Sequence, residues 1–277
     1  MKRLVVTADD FGVAPEVNDA VEQGHRDGIL TAASLMVSAP AAGDAVARAK
    51  ALPHLRVGLH LVLVEGKPTL PKSAVPDLVD AQGMFRTDMV AAGAAMFFLA
   101  RVRRQLEAEI EAQFDAFRAT GLALDHVNAH KHFHLHPTIA TTILRVGKRY
   151  GLRAIRVPLE PRQVLARIEP GANVPMALVT TPWAHLSRAR FRAAGMLVPD
   201  AVFGLAWSGA MTAARLLGML ENLPEGLSEI YLHPATGSYA RCAPGYRYAD
   251  ELAALVAPRV AEAARNSAIA RGGFADF

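Results

Sequence analysis

Leu4-Val5-Val6-Thr7-Ala8-Asp9-Asp10-Phe11-Gly12, continuing through Val13-Ala14-Pro15-Glu16, sets the pattern for the chain. A short apolar run stopped by two carboxylates reads as a buried strand. Pro15 and Glu16 then open a helix that runs to about residue 27, with proline suited to the first helical position. The alternation repeats outward from there. Residues 33–37 predict a strand, 43–52 a helix and 56–64 a third strand. Residues 101–120 predict a helix with Leu106, Ile110, Phe114 and Phe117 on one face, ended by Gly121. Strands are then expected at 125–130, 154–157 and 229–233, and helices at 138–150, 211–223 and 250–265. Residues 159–200, rich in proline and arginine, carry no clear period.

Strands alternating with helices imply an α/β protein with a mostly parallel sheet, either an open doubly wound sheet or a closed barrel. Gly12 stands alone after the first strand, so neither G-x-G-x-x-G nor a phosphate-binding loop follows it. With no internal repeat and no low-complexity linker, residues 1–277 read as one domain.

The composition excludes several classes. Of 277 residues, 52% are hydrophobic and 20% charged, enough apolar side chain to bury a large core. Cys242 is the single cysteine, which rules out a disulfide scaffold and fits a reducing compartment. The longest apolar run, residues 89–100, is too short to span a bilayer and leads into Arg101, Arg103 and Arg104. Lys2-Arg3 leads directly into strand and Asp9-Asp10, unlike a secretory signal. The expectation is a cytoplasmic protein. A net charge of +4, with arginine spread through the helices, does not form the clustered basic face of a nucleic-acid binder.

The polar residues carry the functional signal. Asp9 and Asp10 end the first strand, His60 lies in the third, His130 ends the fourth, Arg156 lies in 154–157, and His233 closes 229–233. In a parallel barrel those strand ends converge on one mouth, whereas in an open sheet they spread along an edge. Convergence of five favours the barrel. Successive strand residues point to opposite faces, so Asp9 and Asp10 can serve one site only if the strand end bends.

Five of the ten histidines fall between His126 and His136. Neutral imidazole is a common metal ligand. His130, nearest the strand end, is the candidate ligand, with His132 and His134 expected to line the pocket. Two histidines and one carboxylate suit a single divalent ion that keeps open positions. Zn²⁺ or another transition metal fits the imidazoles, and Mg²⁺ fits a carboxylate with waters. A second aspartate could then act as general base and His233 as the acid toward a leaving nitrogen. These are the parts of a metal-assisted amide hydrolase. Phosphoester hydrolysis is the alternative chemistry, and a non-catalytic lipid- or metal-binding protein the alternative class.

Thr7-Ala8-Asp9-Asp10-Phe11-Gly12, Gly58-Leu59-His60-Leu61, the segment from Asp125 to His132, and Tyr231-Leu232-His233-Pro234 resemble the YdjC-like carbohydrate deacetylases. The resemblance implies an irregular (β/α) barrel, TIM-barrel-like and related to polysaccharide deacetylases. It implies Asp10, His60 and His130 as metal ligands, Asp9 as catalytic base and His233 as general acid. Arg156 looks like the arginine that holds the base aspartate. The family often carries aspartate where this chain has Asn128, which leaves Asn128 an uncharged outer role.

Residues 14–18, 28–34 and 59–66 are similar to the hopanoid-biosynthesis-associated branch of that family. That similarity implies an N-acetylated amino sugar linked to a lipid as substrate. The apolar run 89–100 with its arginines, and residues 183–220 with Trp183, Phe191, Met196, Phe203 and Trp207, are compatible with such a substrate. Three expectations attach to them: contact with the inner face of a membrane, a homodimer contact, or burial in the core.

Overall fold

The computed structural model describes residues 1–172, 177–265 and 268–277. Its central strand is β1 (Lys2–Phe11), buried without a break from Leu4 onward. Parallel strands covered on both faces read as continuous apolar runs, and β1 does so until Asp9. Around it lie β2 (Ala32–Leu35), β3 (Arg56–Leu61) and β4 (Val127–Ala129) on one side, and β6 (Gly226–Leu232) and β5 (Ala201–Phe203) on the other. The order is β4-β3-β2-β1-β6-β5, all parallel. The short β7 (Ile269–Arg271) pairs with the first residues of β1.

The two ends of this curled sheet, β4 and β5, are joined by residues 153–159. Val127 N–H donates to the Ala154 carbonyl and Arg156 N–H to that of Val127. On the other side Ile155 N–H donates to Leu197, and Val202 N–H to Leu159. The sheet is thus an irregular (β/α) barrel. The strand expected at 154–157 is only two isolated bridges. Its physical cause is the run Val157-Pro158-Leu159-Glu160-Pro161, whose prolines have no N–H to give a ladder.

Helices α1 (Pro15–Arg26), α2 (Ala42–Ala51), α4 (Ala100–Ala119) and α5 (Pro137–Arg149) follow the expected spans closely. Between them, α3 (Met89–Phe98) is the apolar run. The unassigned stretch contains α6 (Arg162–Ile168) and α7 (Ala177–Ala193), part of it outside the described residues. Beyond it lies α8 (Ala213–Glu221). The single helix expected at 250–265 is two, α9 (Tyr248–Val256) and α10 (Pro258–Ala264), because Pro258 cannot continue the first. Strands expected at 56–64 and 125–130 are shorter, so His130 opens the 3₁₀ turn His130–Leu135 instead of ending β4. Phe191, Met196, Phe203, Trp207 and Met211 belong to the core, the third of the expectations attached to that stretch. Val90, Phe97, Phe98 and Leu99 remain exposed around α3, and Trp183 and Leu186 on α7. Among the described residues no helix is long and apolar enough to cross a membrane.

Inside the barrel, register sets which side chains meet. Ser34 pairs with Gly58, and His60 pairs with Asn128. Gly58 leaves the room that the His126 ring fills; a Cβ at 58 would lie 2.5–2.6 Å from three of its ring atoms. Gly58→Ala is therefore expected to cost about 1–3 kcal/mol by overpacking, read as a lower melting temperature in thermal unfolding; an unchanged melting temperature would refute this tight layer.

Candidate metal centre and its surroundings

The site begins at the C-terminal end of β1. The register against β2 shifts between Ala8 and Phe11, and Asp10 takes φ 62°, a left-handed conformation that aspartate tolerates. This bulge is the bend that the strand's alternation demands if two adjacent carboxylates are to serve one cavity. The turn beyond is tied by buried Asn18, which accepts from Gly12 N–H (2.8 Å) and donates to the Ala41 carbonyl (3.0 Å) and Asp44 (2.8 Å).

Asp10 Oδ1 then lies 3.3 Å from His60 Nε2 and 3.2 Å from His130 Nδ1. One donor atom from each of the three lies within 4.8 Å of the others. Despite these distances, buried Asp10 Oδ1 and His60 Nε2 have no hydrogen-bond partner. His60 Nδ1 sits 2.6 Å from the Asn128 amide oxygen, to which it donates. In the neutral ring Nε2 is then a lone pair facing a carboxylate oxygen. Two buried acceptors in contact are unfavourable unless a cation lies between them. One carboxylate and two imidazoles are a suitable donor set for such an ion. The residues present therefore fit a divalent metal.

Asp9, beside this cluster, is held differently. Arg156, wholly buried, reaches it with both terminal nitrogens, at 2.5 Å and 3.0 Å. Nη2 also donates to Glu229 Oε1 at 2.8 Å, which accepts from Thr7 as well. The guanidinium lies 4.4 Å from the Tyr231 ring centre. Burial works to raise the Asp9 carboxyl, but the Arg156 charge overrides it and holds Asp9 well below the usual carboxylate range. Asp9 is thus an ionised acceptor. Losing Arg156 would strand buried carboxylates, at a cost of about 3–5 kcal/mol.

His132 donates to or accepts from Tyr231 Oη at 2.9 Å. Lys131 and His132 both adopt positive φ, which turns this segment over the mouth. Burial, and then the Arg156 charge, push both His132 and His134 down, His134 to about 3, so both rings are neutral. His134 is fully buried and donates to the Arg156 carbonyl at 2.9 Å, so it supports the segment 153–159 and does not line an open pocket. His233 follows β6. Its backbone N–H donates to Glu251 at 2.6 Å, its ring packs between Tyr231 and Tyr246, and its Nδ1 has no partner. A charge on His233 would reach Asp9.

All nine residues singled out in the sequence thus gather at or behind one mouth. Sequence alone assigns no individual role to Glu229, Ser34, Tyr231 or Glu160. The available signal for Glu229 was a polar pair inside an otherwise apolar strand, Leu227-Ser228-Glu229-Ile230.

A parallel barrel with a carboxylate and two imidazoles at its C-terminal mouth defines the general class. The chain belongs to the YdjC-like protein family, whose model matches residues 3–266. It is 30% identical over 233 residues to a carbohydrate deacetylase of Geobacillus stearothermophilus, covering 83% of this chain and 78% of that one. A carbohydrate deacetylase of Brevibacillus brevis is 38% identical over 157 residues, 57% of this chain and 58% of that relative. One of Mus musculus is 34% identical, with 84% and 77% covered. In fold the chain is similar to a candidate cellobiose-phosphate cleavage protein of Enterococcus faecalis, with TM-score 0.76, 24% identity, and 99% and 98% of the two chains covered.

Glu160, where the closing segment meets the loop after β5, accepts from Gly204 and Ala206 N–H, both at 2.8 Å. Burial outweighs these donors and raises its carboxyl from 4.5 to about 7. A raised acid favours the folded state in its protonated form. Its contribution is complete below the unfolded value and is lost as pH rises through about 7. The melting temperature of the wild type should thus fall more steeply between about pH 4.5 and 7 than that of Glu160→Gln; parallel slopes would contradict this.

Proposed function

We propose that this chain is a metal-dependent carbohydrate N-deacetylase that removes the acetyl group from an N-acetylhexosamine, with residues 1–277 working as one domain. The observation that carries the reading is the pair of unpartnered acceptors, Asp10 Oδ1 and His60 Nε2, next to His130 and beside the separately held Asp9. The relatives named carbohydrate deacetylase support the same bond class. Asp10, His60 and His130 would hold the ion. Bound there, a divalent cation polarises the acetyl carbonyl and acidifies water.

The protein's own groups do the rest. Arg156 keeps Asp9 ionised, so Asp9 can take the proton of the attacking water. His233, with a free ring nitrogen, supplies a proton to the leaving amine. The attacked amide carbon loses its C–N bond, giving acetate and a free amino sugar. Asn128 donates to Asp9 Oδ1 at 3.1 Å and accepts from His60, which fixes both. His132 and His134 sit behind, through Tyr231 and the Arg156 carbonyl.

The finer assignment is a lipid-linked substrate, the N-acetylglucosaminyl head group of a hopanoid, met at the inner face of a membrane. Its support is the exposed Val90, Phe97, Phe98 and Leu99 beside the exposed Arg101, Arg103 and Arg104. Apolar side chains next to cations suit an anionic bilayer surface.

Asp9→Asn should retain zinc binding while acetate release falls by about 10²–10⁴-fold, and His130→Ala should lose the metal, as measured by elemental analysis beside an acetate assay. Full acetate release from Asp9→Asn would remove its role as base. Phe97→Ser/Phe98→Ser should abolish sedimentation with anionic vesicles and leave turnover of a water-soluble N-acetylhexosaminide unchanged. Undiminished sedimentation would remove the membrane assignment, and a mass by light scattering that halves in this variant would assign the face to a second copy.

A further inference from the structure

Beneath the candidate centre a chain of buried polar groups crosses the barrel, and none of its outer members touches the mouth. Asp125 accepts backbone N–H groups from Phe274 (3.1 Å) and Ala275 (2.8 Å) and lies 2.8 Å from His126 Nδ1. Burial works to raise Asp125, but the bond from His126 holds it below its ordinary value, so it is an ionised acceptor. His126 Nδ1 must therefore carry the hydrogen. In the neutral ring Nε2 is then an acceptor, and among the described residues the hydrogen that meets it is that of Ser34, 3.0 Å away. With its own hydrogen committed, Ser34 Oγ can only accept from its other neighbour, Asn128 Nδ2, at 2.9 Å. The second Asn128 N–H points at Asp9 Oδ1 (3.1 Å), which leaves the amide oxygen toward His60 Nδ1 (2.6 Å). His60 must donate there, and its Nε2 is left bare toward Asp10.

We infer that Ser34, His126 and Asp125 are positioning residues that, together with the ionised Asp9, fix the polarity of the Asn128 amide and, through it, the tautomer of His60. The inference rests on the reading of His60 as a metal ligand only in its consequence for affinity. An asparagine at 128 makes the device necessary. Its two ends differ, and a reversed amide would present N–H to His60 and force the hydrogen onto the nitrogen that faces Asp10. A carboxylate in the same place has two equivalent acceptor oxygens and would need no such setting. Gly58 is part of the arrangement, because only an absent side chain lets the His126 ring reach across β3 to Ser34.

The test has two arms on the full chain. In metal-free protein with ¹⁵N-labelled histidine, the wild type should show His60 as the Nδ1–H tautomer, and Ser34→Ala and His126→Phe should each show a growing share of the Nε2–H form. In the second arm, zinc affinity is measured by titration. Ser34→Ala should weaken it about tenfold, the low end of the range for removing an outer partner of a ligand, while in an Asn128→Asp background the same change should have no effect. An unchanged His60 tautomer in both variants would overturn the inference, as would an equal loss of zinc affinity in the two backgrounds, which marks mere packing. If the wild type binds no zinc, the reading of the centre fails, and the tautomer arm still decides the inference. If Asn128→Asp does not fold, that arm again decides alone.

Discussion

Asp10 Oδ1 and His60 Nε2 face each other 3.3 Å apart inside the barrel, and neither has a hydrogen-bond partner. In the low polarisability of a protein interior, such opposition is costly unless a positive charge stands in the gap. Much of the surrounding structure sustains that opposition. The bulge and positive φ at Asp10 bring its oxygen inward, and the His60–Asn128 bond strips the proton from the facing nitrogen. A fold that merely buried these residues would let His60 turn its N–H to the carboxylate and form an ordinary hydrogen bond.

Asp9 shows the opposite treatment of an adjacent residue. Its oxygens accept three hydrogen bonds from Arg156 and Asn128, leaving Oδ2 one free acceptor position, and its charge is offset by a guanidinium that also serves Glu229. Two neighbouring aspartates, nearly identical in sequence context, thus become one carboxylate with a bare buried oxygen and one held by an arginine and an amide. That difference, set by what the barrel places beside each, is the physical basis for assigning them different work.

Much of this was legible beforehand. Asp9, Asp10, His60, His130 and His233 stand out because each interrupts an apolar strand near its C-terminal end, and parallel strands carry those ends to one place. Arg156 was visible in an expected strand, although that strand is only isolated bridges, since Pro158 and Pro161 replace a ladder with single bonds. Ser34, Asp125 and Glu229 were not legible as partners. Their significance lies in cross-strand register, and the offset between β2, β3 and β4 is set by packing that a linear pattern does not encode. The break at Pro258 was legible in principle, and the apolar period on both sides of it masked the stop.

β1 has neighbours on both sides for nearly its whole length: β6 along one edge, and β7 then β2 along the other. Its amides are therefore released to solvent only when the entire sheet comes apart, whereas the irregular closing segment 153–159 is held by single bonds. The two aspartates sit at the tip of the most cooperative element and face the least cooperative wall. Amide hydrogens along β1 are accordingly among the last to exchange with solvent, and those along residues 153–159 exchange sooner.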